Sequence, residues 1–136
     1  MKLNNMNFIS PEILLTHLDW TIRRLDEILQ RDNTPYFRSA AIQRFGLTYE
    51  MAIRCIQAFK YKRISSLDAW EADSCADWRE LANSYNKLRQ SLIKKDALEG
   101  SENSQQYGND EIFPKLGQYQ ATFQKLYNHL NTLNNS

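Results

Sequence analysis

The sequence predicts an all-α fold, an antiparallel up-and-down four-helix bundle with room for an extra short helix. Three observations carry this. Four stretches repeat large apolar residues at alternating spacings of three and four, the period of one helix stripe. No alternating β-branched run bounded by turn signals occurs. The connections between the stretches are mostly short, so each helix is expected to fold back on the one before it. A chain of 136 residues fits a single domain, here 1–136. Its 42% hydrophobic residues supply a core, while a negative mean hydropathy leaves a polar surface.

Residues 1–9 are Asn-rich and are expected to be a flexible lead-in. Ser10-Pro11-Glu12 then reads as a helix start: a capping hydroxyl, a proline whose missing N–H costs nothing, and an acid in the first turn. Leu15, Leu18, Ile22, Leu25 and Leu29 make the first seam. Thr34-Pro35 ends that helix and begins the second, expected over 35–61. Phe45, Tyr49, Ala52, Ile56 and Phe59 are its seam, and Gly46 is its weak point, at roughly 1 kcal/mol against alanine. Ser65-Ser66 caps a short segment carrying Leu67 and Trp70, and residues 66–73 either join the next helix or form a separate turn. The third helix is expected over 75–95, with Trp78, Leu81, Tyr85, Leu88 and Leu92 as its seam. Residues 96–108 hold Gly100 and Gly108 among Ser, Asn and Gln, and read as a loop. Asn109 or Asp110 caps the last helix, with Pro114 in its first turn and a seam of Ile112, Leu116, Tyr119, Phe123, Leu126, Leu130 and Leu133.

The 17 basic residues nearly cancel the 16 acidic ones, so charge alone demands neither a nucleic acid nor a membrane. No run approaches the roughly 18 apolar residues of a bilayer span, and residues 3–9 are too short for a signal-peptide core. A cytoplasmic protein without a membrane partner is expected. Cys55 and Cys75 match no metal spacing, and Cys55, beside Ile56, reads as a buried free thiol. There is no Gly-rich phosphate loop, no His-Glu-x-x-His and no Cys-x-x-Cys. No catalytic group, metal site or cofactor is therefore assigned, and His17 and His129 read as surface or rim residues.

The polar residues of the second helix are another matter. Gln43 and Glu50 are seven apart and share a face, with Arg44 beside them. Three readings stand: a solvated face, an interhelix or dimer salt bridge, or a binding surface where Arg44 meets phosphate and Glu50 orients it or a base. On the third helix Arg79, Asn83 and Asn86 face one side within two turns, and the seam residue Tyr85 can reach the rim with its hydroxyl. Trp20, Tyr36, Phe37, Tyr61 and Trp70 lie outside the four seams. Aromatic residues favour interface cores, so this surplus predicts a homodimer.

The run Arg38-Ser-Ala-Ala-Ile-Gln-Arg-Phe-Gly-Leu-Thr-Tyr-Glu-Met-Ala resembles the signature helix of the nucleotidyltransferase substrate-binding proteins, small bundles of the HEPN superfamily. Arg38, Ile42, Gln43, Arg44, Phe45, Thr48, Glu50 and Ala52 match that pattern in order. Elsewhere the likeness is one of architecture. It implies a homodimer, a small nucleotidyltransferase subunit as partner, and binding of a nucleotide or RNA. Some members of the superfamily are ribonuclease toxins of toxin–antitoxin modules and use an Arg-x(4–6)-His motif. This chain aligns Arg79, Leu81, Tyr85 and Asn86 with the wider pattern around that motif, Arg-Asn-Leu-x-Ser-His-x-Tyr-Asp/Asn, with one residue missing, but carries Asn83 and Ser84 where the histidine would be. Neither transfers a proton near pH 7 as histidine does. Gly46 stands for a usual glutamate, and Ile53-Arg54 for Trp-Lys. The resemblance thus implies a non-catalytic binding subunit through Arg38, Gln43, Arg44, Glu50, Arg79, Asn83 and Tyr85, with a ribonuclease of altered site as the alternative.

Overall fold

The computed structural model describes residues 10–31, 34–61, 75–98 and 111–134. These form α1 (Pro11–Leu29), α2 (Pro35–Tyr61), α3 (Cys75–Leu98) and α4 (Leu116–Asn134), with a 3₁₀ turn over Phe113–Lys115 leading into α4. No strand occurs among the described residues. The lead-in 1–9, the short segment at 66–73, the loop from 99 to 108 and the cap at Asn109 or Asp110 lie outside them.

The chain-end chemistry of each helix explains its bounds. Ser10 Oγ accepts the Ile13 N–H at 3.3 Å, with Pro11 in the first turn. Thr34 Oγ1 does the same for the Phe37 N–H at 3.3 Å, so α2 begins at Pro35 as expected. Two ends differ from expectation. α3 runs on to Leu98, taking residues 96–98 from the expected loop, because alanine and leucine favour helix and nothing before Gly100 stops it. α4 opens with a 3₁₀ turn rather than an α-turn. Pro114 offers no N–H there, and tight turns are common at helix N-termini.

Cross-helix contacts fix the directions. The Cys55 thiol donates to the Leu14 carbonyl at 3.3 Å, and the Thr48 hydroxyl reaches the Thr21 carbonyl at 3.4 Å. Numbers fall along α2 as they rise along α1, so the pair is antiparallel. Tyr49 stacks on Trp78 while Gly46 faces Tyr85, which makes α2 and α3 antiparallel. Ser84 bonds Tyr119 while Trp78 meets Phe123, which does the same for α3 and α4. The described residues form an all-α, up-and-down four-helix bundle.

α2 touches all three other helices. Phe45, fully buried, stacks on Tyr119 at 5.4 Å and lies 6.1 Å from Phe123. Leu18, Ile22, Leu25, Leu81, Ile112, Leu116 and Leu126 close around this aromatic centre. Each such side chain contributes about 1.5–3 kcal/mol on leaving water. The buried stripes are wider than the expected seams, since Leu14, Ala41, Thr48 and Cys55 are buried as well. Leu29 and Leu133, at helix ends, are only partly covered. Thr48 is tolerated in the core because its hydroxyl donates to the Arg44 carbonyl at 2.7 Å. Cys55 is a free thiol, and burial pushes its pKa up to about 12. Among the described residues no helix is long and apolar enough to cross a membrane.

Candidate functional site

The seven sequence-predicted residues do not converge on one centre. They divide between two faces of the bundle, and the geometry of α3 explains why. At 100° per residue, Tyr85 lies some 200° around the helix from Asn83 and 240° from Arg79. Tyr85 therefore meets α2, while Arg79 and Asn83 turn towards the start of α4.

On the α2 side, the Tyr85 hydroxyl donates to Glu50 Oε2 at 2.6 Å. Its ring stacks on Tyr49 at 4.2 Å, and Tyr49 stacks in turn on Trp78 at 5.6 Å. All three rings are half-buried. Desolvation raises the Tyr85 phenol to about 12, helped by the hydrogen bond to Glu50 and by the negative charge that carboxylate carries. Glu50 itself is exposed. The hydrogen bond from the Tyr85 phenol to the Glu50 carboxylate ties α2 to α3 at their shared edge.

The remaining α2 residues point outward. Gln43, Leu47, Glu50 and Arg54 are all exposed and follow at spacings of four, three and four. Arg44 is half-buried on the neighbouring stripe, its carbonyl taken by Thr48. Arg38 is half-buried in the first turn, where its N–H donates to the Thr34 carbonyl at 2.9 Å. The structure brings Glu50 to Tyr85 and keeps Gln43 on the same outward stripe.

On the α4 side, a groove of about 400 Å³ runs along three turns of α3. Arg79, Asn83, Ser84 and Lys87 line it from α3, and Lys115 closes it from the 3₁₀ turn. Lys115 pairs with Glu80 at 3.3 Å, and that bond raises its pKa. Ser84 and Tyr119 share a buried hydrogen bond of 2.6 Å beneath the groove. Three cations stand against two carboxylates, Glu80 and Glu111. An anionic group fits that balance better than a cation does.

Sequence reasoning missed Lys87, Lys115 and Ser84. Lys87 shares a stripe with Arg79 and Asn83, so its spacing was a usable signal, whereas Ser84 lies about 100° further round and is buried. Lys115 comes from a distant turn, and no local pattern announces it. A second shallow groove, of about 460 Å³, lies between α1 and α2. Thr16, His17, Trp20, Thr21 and Met51 line it. His17 thus stands beside the exposed Trp20 at the rim. Among the described residues no group of three or more His, Cys, Asp or Glu could hold a metal ion. No family model, no curated protein and no solved structure matches the chain.

Proposed function

We propose that the chain is a cytoplasmic, non-catalytic binding subunit that forms a homodimer and pairs with a small nucleotidyltransferase, holding that enzyme or its nucleotide. The observation that carries this reading is the ordered match of Arg38, Ile42, Gln43, Arg44, Phe45, Thr48, Glu50 and Ala52 to the substrate-binding signature helix. Two features of the bundle support it. Gln43 and Glu50 lie exposed on α2, where a partner can reach them. Arg79 and Asn83 open onto a groove that also holds Lys87 and Lys115, groups suited to a nucleotide's phosphates. Asn83 and Ser84 cannot supply the proton transfer that RNA cleavage needs near pH 7, which favours binding over ribonuclease activity.

Co-expression with a small nucleotidyltransferase encoded beside this chain tests the reading. The expected result is a complex that survives gel filtration and weakens in Gln43→Ala/Glu50→Ala. A nucleoside triphosphate is expected to raise the melting temperature, and Lys87→Ala to reduce that shift. Purification as a lone homodimer with no nucleotide response would overturn it. Degradation of RNA by the purified chain, lost in Arg79→Ala, would replace it with the ribonuclease.

A further inference from the structure

We infer that the Glu80–Lys115 ion pair is a strap across the groove on the α4 side, and that a terminal phosphate binds by taking the place of Glu80 on Lys115, above the Ser84 hydroxyl. This rests on the anion-binding groove in the function proposed above and names the class of phosphate it takes. Two bonds join α3 to the start of α4 here: Ser84 with Tyr119 at 2.6 Å, and Glu80 with Lys115 at 3.3 Å. Glu80 lies one turn before Ser84, and Lys115 lies one turn before Tyr119. The two segments are antiparallel, as the contacts of Trp78 with Phe123 and of Asp77 with Lys125 show. Bonds that join the earlier residue to the earlier and the later to the later must then cross. Ser84 is 7% exposed and Tyr119 is fully buried, so theirs is the inner bond. The side chains of Glu80 and Lys115 are 42% and 44% exposed, so their bond is the outer one and passes over the first.

The carboxylate of Glu80 is thus an oxyanion built into the groove, and it marks the point where an external oxyanion would sit. Ser84 lines the groove above its own bond to Tyr119. When the Tyr119 hydroxyl donates to Ser84 Oγ, the Ser84 proton is left for an acceptor in the groove. Lys87 stands on the same wall, three residues beyond Ser84, and Glu111 faces the groove one turn before Lys115. The bond to Glu80 raises the Lys115 pKa, so the ammonium keeps its charge. An ion pair this exposed contributes little, so Glu80 leaves Lys115 at small cost. The charge of the newcomer decides whether the exchange is favourable. A phosphodiester carries one negative charge, as Glu80 does, and replaces like with like on Lys115. A terminal phosphate carries about −1.5 to −2 near pH 7, with three strong acceptor oxygens. Those oxygens suffice for Lys115, Lys87 and Ser84 together, in charge-assisted hydrogen bonds that Glu80 alone does not make. Glu80 therefore acts as a specificity-determining residue: it holds Lys115 against singly charged anions and yields it to doubly charged ones.

Isothermal titration calorimetry of the full chain tests this, with AMP, cyclic AMP and inorganic phosphate as probes. Low salt keeps the surface charges unscreened. The two nucleotides share base and sugar and differ in having a terminal phosphate or a diester. AMP is expected to bind roughly tenfold tighter than cyclic AMP. Glu80→Gln is expected to tighten AMP binding about threefold and to narrow its lead over cyclic AMP. Lys115→Ala is expected to weaken AMP binding roughly tenfold. Glu80→Gln added to Lys115→Ala should then change nothing, because the carboxylate acts through Lys115. Far-UV circular dichroism of each variant should match the wild type. Equal binding of AMP and cyclic AMP overturns the inference. So does a Glu80→Gln variant that binds AMP no tighter than the wild type, or a gain that persists without Lys115. Nucleotide binding in the function proposed above survives each of these results. Failure of all three probes to bind overturns both readings. Phosphate bound as tightly as AMP upholds the strap and removes the nucleotide from that function.

Discussion

Gly46→Ala should stabilise the bundle. Gly46 lies in the middle of α2, and a methyl group built there would stand 3.8 Å from Cε1 of Tyr85. That is an ordinary van der Waals contact, so nothing must move. Alanine in a helix interior is favoured over glycine by about 1 kcal/mol, much of it from the lost freedom of the unfolded chain. Cover on the Tyr85 ring adds a smaller apolar gain in the same direction. The expected gain is about 1 kcal/mol, equivalent to roughly 3–4 °C in Tm for a domain of this size. Urea unfolding followed by far-UV circular dichroism measures it, with an unchanged slope expected. Gly46→Glu should gain less, because the new acid stands four residues before Glu50 and repels it. A Gly46→Ala variant less stable than the wild type, at the same slope, would refute the reasoning. It would mean that α2 and α3 approach more closely at Tyr85 than 3.8 Å allows.

Phe45→Ala empties the aromatic centre between α2 and α4 and is expected to cost about 3–5 kcal/mol, read as a collapse of the denaturation midpoint or as failure to fold. Stability should fall between about pH 9 and 12. Cys55 is raised from 9.0 to about 12 and Tyr85 from 10.0 to about 12 in the folded chain, so the unfolded chain releases those protons first and ionisation favours unfolding. Urea midpoints across that range check the sign, and a rise would contradict it. In a Cys75→Ser background, a thiol reagent at pH 8 should leave Cys55 unmodified until denaturant is added, because the group is buried and protonated. Rapid labelling of the native protein would show that the α1–α2 seam opens at Leu14. Lys115→Ala should leave the urea midpoint nearly unchanged, since its bond to Glu80 joins two side chains that are each more than 40% exposed.

Much of the architecture was legible because the bundle is built from one repeated physical rule. The three-four spacing of Leu15 to Leu29 or Phe45 to Phe59 names the buried stripe directly, and Ser10 and Thr34 announce the helix starts by their capping hydroxyls. The rule gives a narrower core than the real one. Thr48 and Cys55 are polar or ambiguous in sequence, and only the neighbouring carbonyls of Arg44 and Leu14 make their burial tolerable. The 3₁₀ opening of α4 was likewise invisible, because Pro114 permits either kind of first turn. Residues on a site are harder to read than residues in a core. Tyr85 and Asn83 are two apart, yet that small offset sends one to Glu50 and the other to Lys115.

The division of the polar residues has a physical consequence for how such a bundle could serve two partners. α2 is packed on three sides, so its surface is confined to the arc from Arg44 through Leu47 to Glu50. One edge of that arc abuts the exposed aromatic face of α1, and the other is pinned by the Tyr85 bond. The groove along Arg79, Asn83 and Lys87 opens on the far side of α3. A second protein seated at Gln43 therefore leaves that groove open, and an anion in the groove leaves Gln43 uncovered. Substitutions at Gln43 and at Lys87 are accordingly expected to act independently. Their effects on association and on nucleotide-induced stabilisation should add within about 0.5 kcal/mol in the double variant. A larger coupling would place both ligands on one surface and remove the reason for treating the two faces separately.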